Sequence, residues 1–403
     1  MKAALLIDGN FIIYRTVSVV QSTADSNIKI DSDEDMAIFM RKIAMDFCSQ
    51  ARLFDGLFDT VVWTIDRKSW RKTYFPELEY KANRTVDTTI NWDNVSIIRD
   101  EFLNIMKQNG VLVSVVEEAE GDDLICEWVK YYKGKRKPSI VISGDRDLNQ
   151  LVYFNNISYC IQYSPITSKL YGAVGFEDWL NTAVNDKKKV DIFNFTKVTN
   201  ESDKILLHDI VKQKSSIIIE INSDDFIFKK VLVGDSGDNV KPAFNYQSPN
   251  KTGKIINHGI SEAKAEKIVE EYKLNHKLNV SDLYDIQTVM PLANIVFNTM
   301  KASGIMSVDN IAQNIILNAK LMVLNDEYSI PEKITESIKV DIMQNEEKRK
   351  NLNFQNLTSM QNLLKNTKYI DENYIQIKSD IFKGENIDEK DTSFITNTKT
   401  KLF

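Results

Sequence analysis

Four short apolar runs, each giving way to acidic residues, constrain this chain more than any other feature. AALLI (3–7) stops at Asp8, TVVWTI (60–65) at Asp66, VLVSVV (111–116) leads to Glu120 and Asp122, and SIVIS (139–143) to Asp145 and Asp147. Helical patterns lie between and beside them at 34–54, 93–109 and 122–132. Continuous apolar strands separated by helices predict a parallel sheet covered on both faces, because a strand buried on both sides shows no polar alternation. Sheets of that kind bind ligands outside the carboxyl ends of their strands. Acids far apart in sequence are therefore expected to converge there. A single Asp at a strand end is ordinary turn or cap chemistry. Six acids at four successive strand ends point to a site.

The stretch EEAEGDDLICEW (117–128) adds to this, with five carboxylates in its first seven residues. One or two would suffice to offset a helix dipole; five repel one another unless something positive sits among them. Apolar residues at 124, 125, 128, 129 and 132 form one helical stripe, with Asp122 on its inward edge and Asp123 aligned with Glu127 and Lys130 on the wetter face. Asp122 is thus expected to be a direct ligand and Asp123 a capping or supporting group. In SGDRDL (143–148), Asp145 and Asp147 alternate in what reads as an extended segment and would point the same way. A carboxylate set without Cys or His suits hard cations, Mg²⁺ or Mn²⁺. Two such ions about 4 Å apart would neutralise the cluster and stabilise the attacking and leaving oxygens of a phosphodiester.

The remaining composition narrows the field. The 403 residues allow two or three domains, and 43% hydrophobic residues are enough for real cores. A net charge of −6 argues only weakly against nucleic acid, since basic residues can gather locally. Cys48, Cys126 and Cys160 are scattered without CxxC spacing, so they read as reduced thiols and offer no zinc site. No signal peptide or membrane span is read, and a soluble cytoplasmic protein is expected, in the host cytoplasm if the source is a phage. His208, His258 and His276 are the only histidines, which disfavours a histidine general base. Residues 67–84 hold Arg67, Lys68, Arg71, Lys72, Lys81 and Arg84, with Trp70, Tyr74, Phe75 and Tyr80 interleaved. Cations for phosphates and aromatic faces for unstacked bases suit a single strand. Lys81 and Arg84 share a face if helical; the plainer reading is a solvated amphipathic helix.

Taken in order, LLIDGN (5–10), DRKSWRKTYFPELEYKANR (66–84), EAEGDDLI (118–125), SGDRDLNQLV (143–152) and VLVGDSGDNV (231–240) resemble the motifs of the 5′ nuclease, or flap endonuclease, family. The likeness is strongest to its phage ribonuclease H and 5′–3′ exonuclease members, and it continues less clearly to about residue 325. The resemblance implies an α/β fold: a PIN-like, mostly parallel sheet with helices on both faces, a helical arch, and a helix–three-turn–helix in a C-terminal helical domain. It implies a metal-dependent 5′→3′ exonuclease and flap endonuclease that removes RNA primers or 5′ flaps from DNA or RNA–DNA hybrids in phage-type replication. By the same resemblance Asp8, Asp66, Glu120 and Asp122 bind a first Mg²⁺ (Mn²⁺ can substitute), Asp145, Asp147 and Asp238 serve a second, and Asp123 and Asp235 support them. Asp122 and Asp145 join Lys81 and Arg84 as catalytic residues, the latter two reaching the scissile phosphate from the arch. Tyr80 is placed to stack on a nucleobase, with Arg67, Arg71 and Lys72 on the nucleic acid. GDSGDNV followed by GISEAKAEKIVEEY (259–272) resembles the helix–three-turn–helix that holds duplex backbone, where Lys254, Lys264 and Lys267 would add charge and a potassium ion could sit. Two departures stand out: residues 242–258 intervene where many relatives have a tight connection, and Ser261 stands where a second Gly is frequent.

This gives a catalytic domain at 1–184 with an arch at about 67–100, an irregular polar insertion at 185–222, a helical domain at 223–330, and an extension at 331–403 expected as helices fraying into a mobile tail. The terminal TKTKLF reads either as a short peptide for a sliding clamp or single-strand-binding protein or, more plainly, as a disordered end. The chain is expected to act as a monomer. Competing readings are a PIN-type ribonuclease, which has no need of 231–272; a haloacid-dehalogenase-like phosphatase, which wants DxD after the first strand where IDGN supplies one Asp; and a non-catalytic DNA-binding scaffold, which would usually have lost a ligand.

Overall fold

The computed structural model describes residues 2–22, 29–85, 87–155, 157–185, 201–213, 218–250, 252–324 and 327–370. The first apolar run becomes β1 (Ala3–Asp8), followed by α1 (Gly9–Ser22), α2 (Asp33–Leu53), β2 (Phe58–Thr64), the short α3 (Trp70–Tyr74), α4 (Trp92–Gln108) and β3 (Leu112–Ser114). After these come α5 (Gly121–Gly134), β4 (Ser139–Ile142), β5 (Tyr153–Phe154), β6 (Tyr159–Ser164), β7 (Lys169–Ala173), α6 (Phe176–Asn185), α7 (Glu201–Gln213) and β8 (Ile218–Ile221). The main path of the sheet runs β3-β2-β1-β4-β6-β7-β8, with β5 paired to β6. Its pairs are parallel except β5–β6 and β6–β7. Strand alternation sends Leu5 and Ile7 into the core under α1, α2 and α4, and Leu6 into the core under α5.

The order of the central strands positions the site. From β1 the chain steps outward through β2 to β3, then returns to place β4 on the other flank of β1. The carboxyl ends of β1 and β4 therefore border the crevice where strand order reverses, the usual ligand position in such sheets. Ile7 lies opposite Ile142, and Asp8 opposite Thr64. Asp8, Asp66 and Asp145 are thereby set at one edge of the sheet.

A second body follows: α8 (Ser223–Val233), the hairpin β9 (Asn245–Pro249) and β10 (Ile255–Gly259), α9 (Glu262–Lys273), α10 (Ile286–Met300) and α11 (Val308–Met322). These helices enclose their own core around Phe228, Tyr272, Val296 and Ile315. The chain then returns to the first body through α12 (Glu332–Glu347), α13 (Phe354–Leu357) and α14 (Met360–Leu364).

Several expectations need correcting. The extension does not fray over its described length. Leu357 and Leu364 are fully buried in the sheet's core, each burial contributing roughly 1.5–3 kcal/mol. Ser114 donates to Asp341 on α12 at 2.5 Å. The tail beyond residue 370, with TKTKLF, lies outside the described residues. The insertion at 185–222 is no mere surface segment where it is described, because β8 pairs with β7 and Leu207 of α7 is buried. Of the arch expected at about 67–100, residues 67–84 are no continuous helix; α3 is followed by a 3₁₀ turn at Pro76–Leu78 and by turns to Asn83, and α4 begins at Trp92. Among the described residues no helix is long and apolar enough to cross a membrane. Cys48, Cys126 and Cys160 are buried and form no disulfide with one another.

Candidate metal and nucleic-acid site

The acids of the strand ends meet as the sheet order requires, and each is held by a local bond. Asp8 accepts from Phe11 N at 3.0 Å and from Ser143 Oγ at 2.6 Å, tying β1 to the end of β4. Asp66 accepts from Gly121 N at 2.5 Å. A Cβ at residue 121 would sit 2.7 Å from that carboxylate oxygen, so the start of α5 can come this close only as glycine. Asp145 accepts from Asp147 N at 2.8 Å and opens a 3₁₀ turn at Arg146–Leu151. The two are therefore not alternating in an extended strand, although both lie close enough to Lys230 to feel its charge. Asp145 faces the charges of Asp238, Lys81 and Lys230, whereas Asp147 bonds Lys230.

Burial and mutual repulsion dominate this basin. Burial, opposed by its bonds to Ser143 and Phe11, pushes Asp8 up to about 7, and burial with Asp145 alongside does the same for Asp147. Asp66 and Asp145 are raised mainly by burial. Asp122 is raised well above its ordinary value by burial and by Asp145, Asp8 and Asp66. Such a group of oxygen donors carries negative charge that the protein does not fully offset, which is the chemistry of a hard divalent site. Among the described residues no three carboxylate, imidazole or thiol groups are yet drawn together as a bound ion would require. Cations stand between them instead. Lys81 pairs with Glu120 and lies 3.7 Å from Asp238, Arg84 pairs with Asp238 at 2.5 Å, and Lys230 bridges Asp147 at 2.5 Å and Asp235 at 3.1 Å. Although burial opposes it, Lys81 and Arg71 draw Glu120 down to about 2. Asp235 also accepts from the amides of Gly237 and Asp238, which fixes the loop after α8.

Arg71, expected on nucleic acid, is buried. It bonds Asp123 through both terminal nitrogens at 3.0 and 3.1 Å, Glu120 at 2.7 Å and the Leu321 carbonyl at 2.6 Å, and it lies 4.4 Å from the Trp70 ring centre. Asp123 is likewise not on a wet face. It is fully buried, accepts from Trp70 Nε1 at 3.0 Å, and completes a capping box with Glu120. Glu127 is buried beside it because α12 and the 321–324 segment cover that side of α5, as the bond from Cys126 to the Leu324 carbonyl shows. Tyr80 cannot stack on a base as it stands. Its ring is buried in the helical core, and its hydroxyl donates to Asp238 at 2.8 Å. Trp70 is buried too, whereas Tyr74 is exposed.

The outward cations keep their expected positions at the surface: Arg67, Lys68, Lys72 and Arg84 are exposed, as are Lys254, Lys264 and Lys267 on the helical body. Lys81 and Arg84 are not on one helix; Lys81 has a left-handed φ of 56° in a turn, and Arg84 N bonds the Lys81 carbonyl. Sequence reasoning missed Lys230, whose signal was its place five residues before Asp235. It also missed Tyr14 of α1, which is 48% exposed, packs 5.4 Å from Trp92, and is close enough to Asp66, Arg84 and Lys81 to feel their charge. Its signal was one and a half helical turns after Asp8.

Residues 3–178 match the family model of the 5′–3′ exonuclease N-terminal resolvase-like domain. No curated protein matches the chain. Among solved structures it is similar to the 5′-exonuclease of bacteriophage T5 with bound zinc, at 14% identity over 85% of this chain and 99% of that one, with a TM-score of 0.49. It is also similar to the flap endonuclease of bacteriophage T5 in a complex with DNA and metal ions, at 14% identity over 86% of this chain and 100% of that one, with a TM-score of 0.45.

Proposed function

We propose that this chain, whose residues 3–178 match the 5′–3′ exonuclease N-terminal domain, is a divalent-metal-dependent 5′→3′ exonuclease and flap endonuclease that trims RNA primers or 5′ flaps during DNA replication. The observation that carries the reading is the single basin in which strand-end carboxylates lie beside Lys81 and Arg84. Asp8, Asp66, Glu120 and Asp122 would hold one Mg²⁺, and Asp145, Asp147, Asp235 and Asp238 a second. Ions so bound supply a water of lowered pKa and positive charge for the leaving oxygen.

The chain's own groups do the rest. Glu120 and Asp238 hold Lys81 and Arg84; were those carboxylates to bind ions, both cations could take a phosphate at the rim of the basin. There they would stabilise charge that develops on its oxygens. Asp123 and Arg71 keep the start of α5 in place and therefore orient Glu120 and Asp122. Tyr14, rather than Tyr80, offers an exposed aromatic face beside the basin. Lys264 and Lys267 on α9 supply phosphate contacts for a duplex arm.

A 5′-labelled flap and an RNA–DNA hybrid, each with Mg²⁺ or EDTA, test the reading. Wild type should cleave only with metal, and Asp145→Asn should lose activity by orders of magnitude while remaining folded. Product that persists in EDTA, or a fully active Asp145→Asn, would overturn it. Cleavage of single-stranded RNA in preference to both substrates would favour the PIN-type ribonuclease.

A further inference from the structure

The β9–β10 hairpin is the part of the helical body that its core explains least. Its base is anchored: Phe244 is fully buried, Tyr246 packs 5.6 Å from it, and His258 stacks on Tyr246 at 4.5 Å and 10°. Ser248 Oγ and His258 Nε2, 2.9 Å apart, close that face. Opposed residues of an antiparallel pair share a face. The register therefore puts Pro249 with Ile255 and Gln247 with Asn257 on the other one. All four are exposed, and Ile255 keeps 57% of its surface in solvent. Gln247 donates to Asn257 at 2.9 Å, so the two carboxamides stand side by side with polar atoms to spare.

The charge of this segment suits the same face. The chain has 57 acidic residues in 403, yet none between Asn239 and Ser261, where Lys241 and Lys254 are exposed. Both strands of the hairpin are thus free of negative charge and carry exposed lysine near them. Along the chain the hairpin, Asn245–Gly259, lies between Asp238 and the start of α9. An unsupported two-stranded ribbon with an isoleucine in water gains little stability by itself. The major groove of B-form DNA admits a two-stranded β-ribbon. Carboxamides address adenine edges there, and apolar groups address thymine methyls.

We propose that the Gln247–Asn257 face of this hairpin enters the major groove of the duplex arm that the enzyme holds while it works on the 5′ end. The inference rests on the nuclease reading and adds to it a second grip on the duplex, beyond the backbone contacts of α9. It also gives residues 242–258, a departure from the common pattern, a use.

The test is binding of full-length protein in EDTA to flap DNAs whose duplex arm is either about two helical turns or about half a turn long. The variants are Ile255→Asp/Asn257→Asp and, with less charge change, Gln247→Ala/Asn257→Ala. On the long arm the acidic variant should bind roughly 10-fold or more weakly and the alanine variant several-fold more weakly, by the usual scale of groove contacts. On the short arm all three proteins should bind alike. Equal affinities on the long arm, with melting temperatures unchanged, would overturn the proposal, including the case in which the ribbon serves a protein partner instead. Mg²⁺-dependent cleavage by wild type is measured in parallel. If it is present while the variants bind like wild type, only the hairpin assignment falls; if it is absent, the nuclease reading falls first.

Discussion

Replacing Arg71 with methionine would leave Asp123 fully buried with Trp70 Nε1 and the Glu120 amide as its remaining partners, and would strip the Leu321 carbonyl of its guanidinium donor. Arg71 is held protonated, well above its ordinary range, by Asp123, Tyr80 and Glu120 against the cost of burial. Breaking one side of a buried ion pair costs about 3–5 kcal/mol, chiefly because the other charge stays buried without its partner. In a domain of this size that lowers the melting temperature by on the order of 10 °C. Arg71→Lys should recover only part of the loss, since an ammonium cannot span the four acceptors that the planar guanidinium reaches. The decisive comparison is urea denaturation of Arg71→Met against Arg71→Met/Asp123→Asn, both in EDTA. The second change removes the stranded charge and should restore about 1–2 kcal/mol. A single variant that costs under about 1 kcal/mol while weakening DNA binding would refute the burial argument and return Arg71 to the nucleic-acid surface.

Other outcomes follow from the same geometry. In EDTA, Asp8 and Asp147 at about 7, with Asp66, Asp122 and Asp145 also raised, bind protons more tightly folded than unfolded. Stability of the metal-free protein should therefore fall as pH rises from about 4 through 7. Glu120 at about 2 and the lowered Asp235 contribute in the opposite sense and lose their stabilisation only at still lower pH. Thermal melts with saturating Mg²⁺ should reverse the trend above pH 6, since the ligands must then be deprotonated; a slope of the same sign with and without metal would contradict this. Gly121→Ala drives a Cβ into Asp66 and should weaken metal binding roughly 10–100-fold, as loss of an orienting contact does, with calorimetry as the check. Lys230→Met removes the cation between Asp147 and Asp235. It should destabilise the EDTA form by about 1–3 kcal/mol, after allowance for partial exposure, and should tighten binding of a second Mn²⁺. An unchanged second affinity would mean that Lys230 does not compete with that ion.

What could be read from the sequence, and what could not, divides along physical lines. Asp8, Asp66 and Asp145 were legible because a buried parallel strand must be continuously apolar and its carboxyl end must face the crevice. Asp122 and Asp123 were distinguished by helical phase alone, and phase misled for Asp123, since α12 closes the side of α5 that the pattern left polar. No local signal announces a helix arriving from two hundred residues downstream. Arg71 and Tyr80 were misjudged for the same reason. Alternating cations and aromatics describe a single-strand clamp and a buried ion-pair knot equally well until the 321–324 segment and the helical core are placed against them. The strands after β4 escaped notice because YCIQYS and KLYGA are short, and β7 runs against its neighbour β6. Lys230 looked like any helix-surface lysine, and only the fold brings Asp147 to it.

The claim on which the rest stands is that strand-end carboxylates form a basin for divalent ions. Anomalous diffraction from crystals soaked in Mn²⁺ measures this directly. One peak should lie among Asp8, Asp66, Glu120 and Asp122, and a second, weaker one beside Asp145 and Asp147 with Lys230 displaced. No peak within bonding distance of these carboxylates, with Lys81 and Lys230 still in their ion pairs, would contradict it.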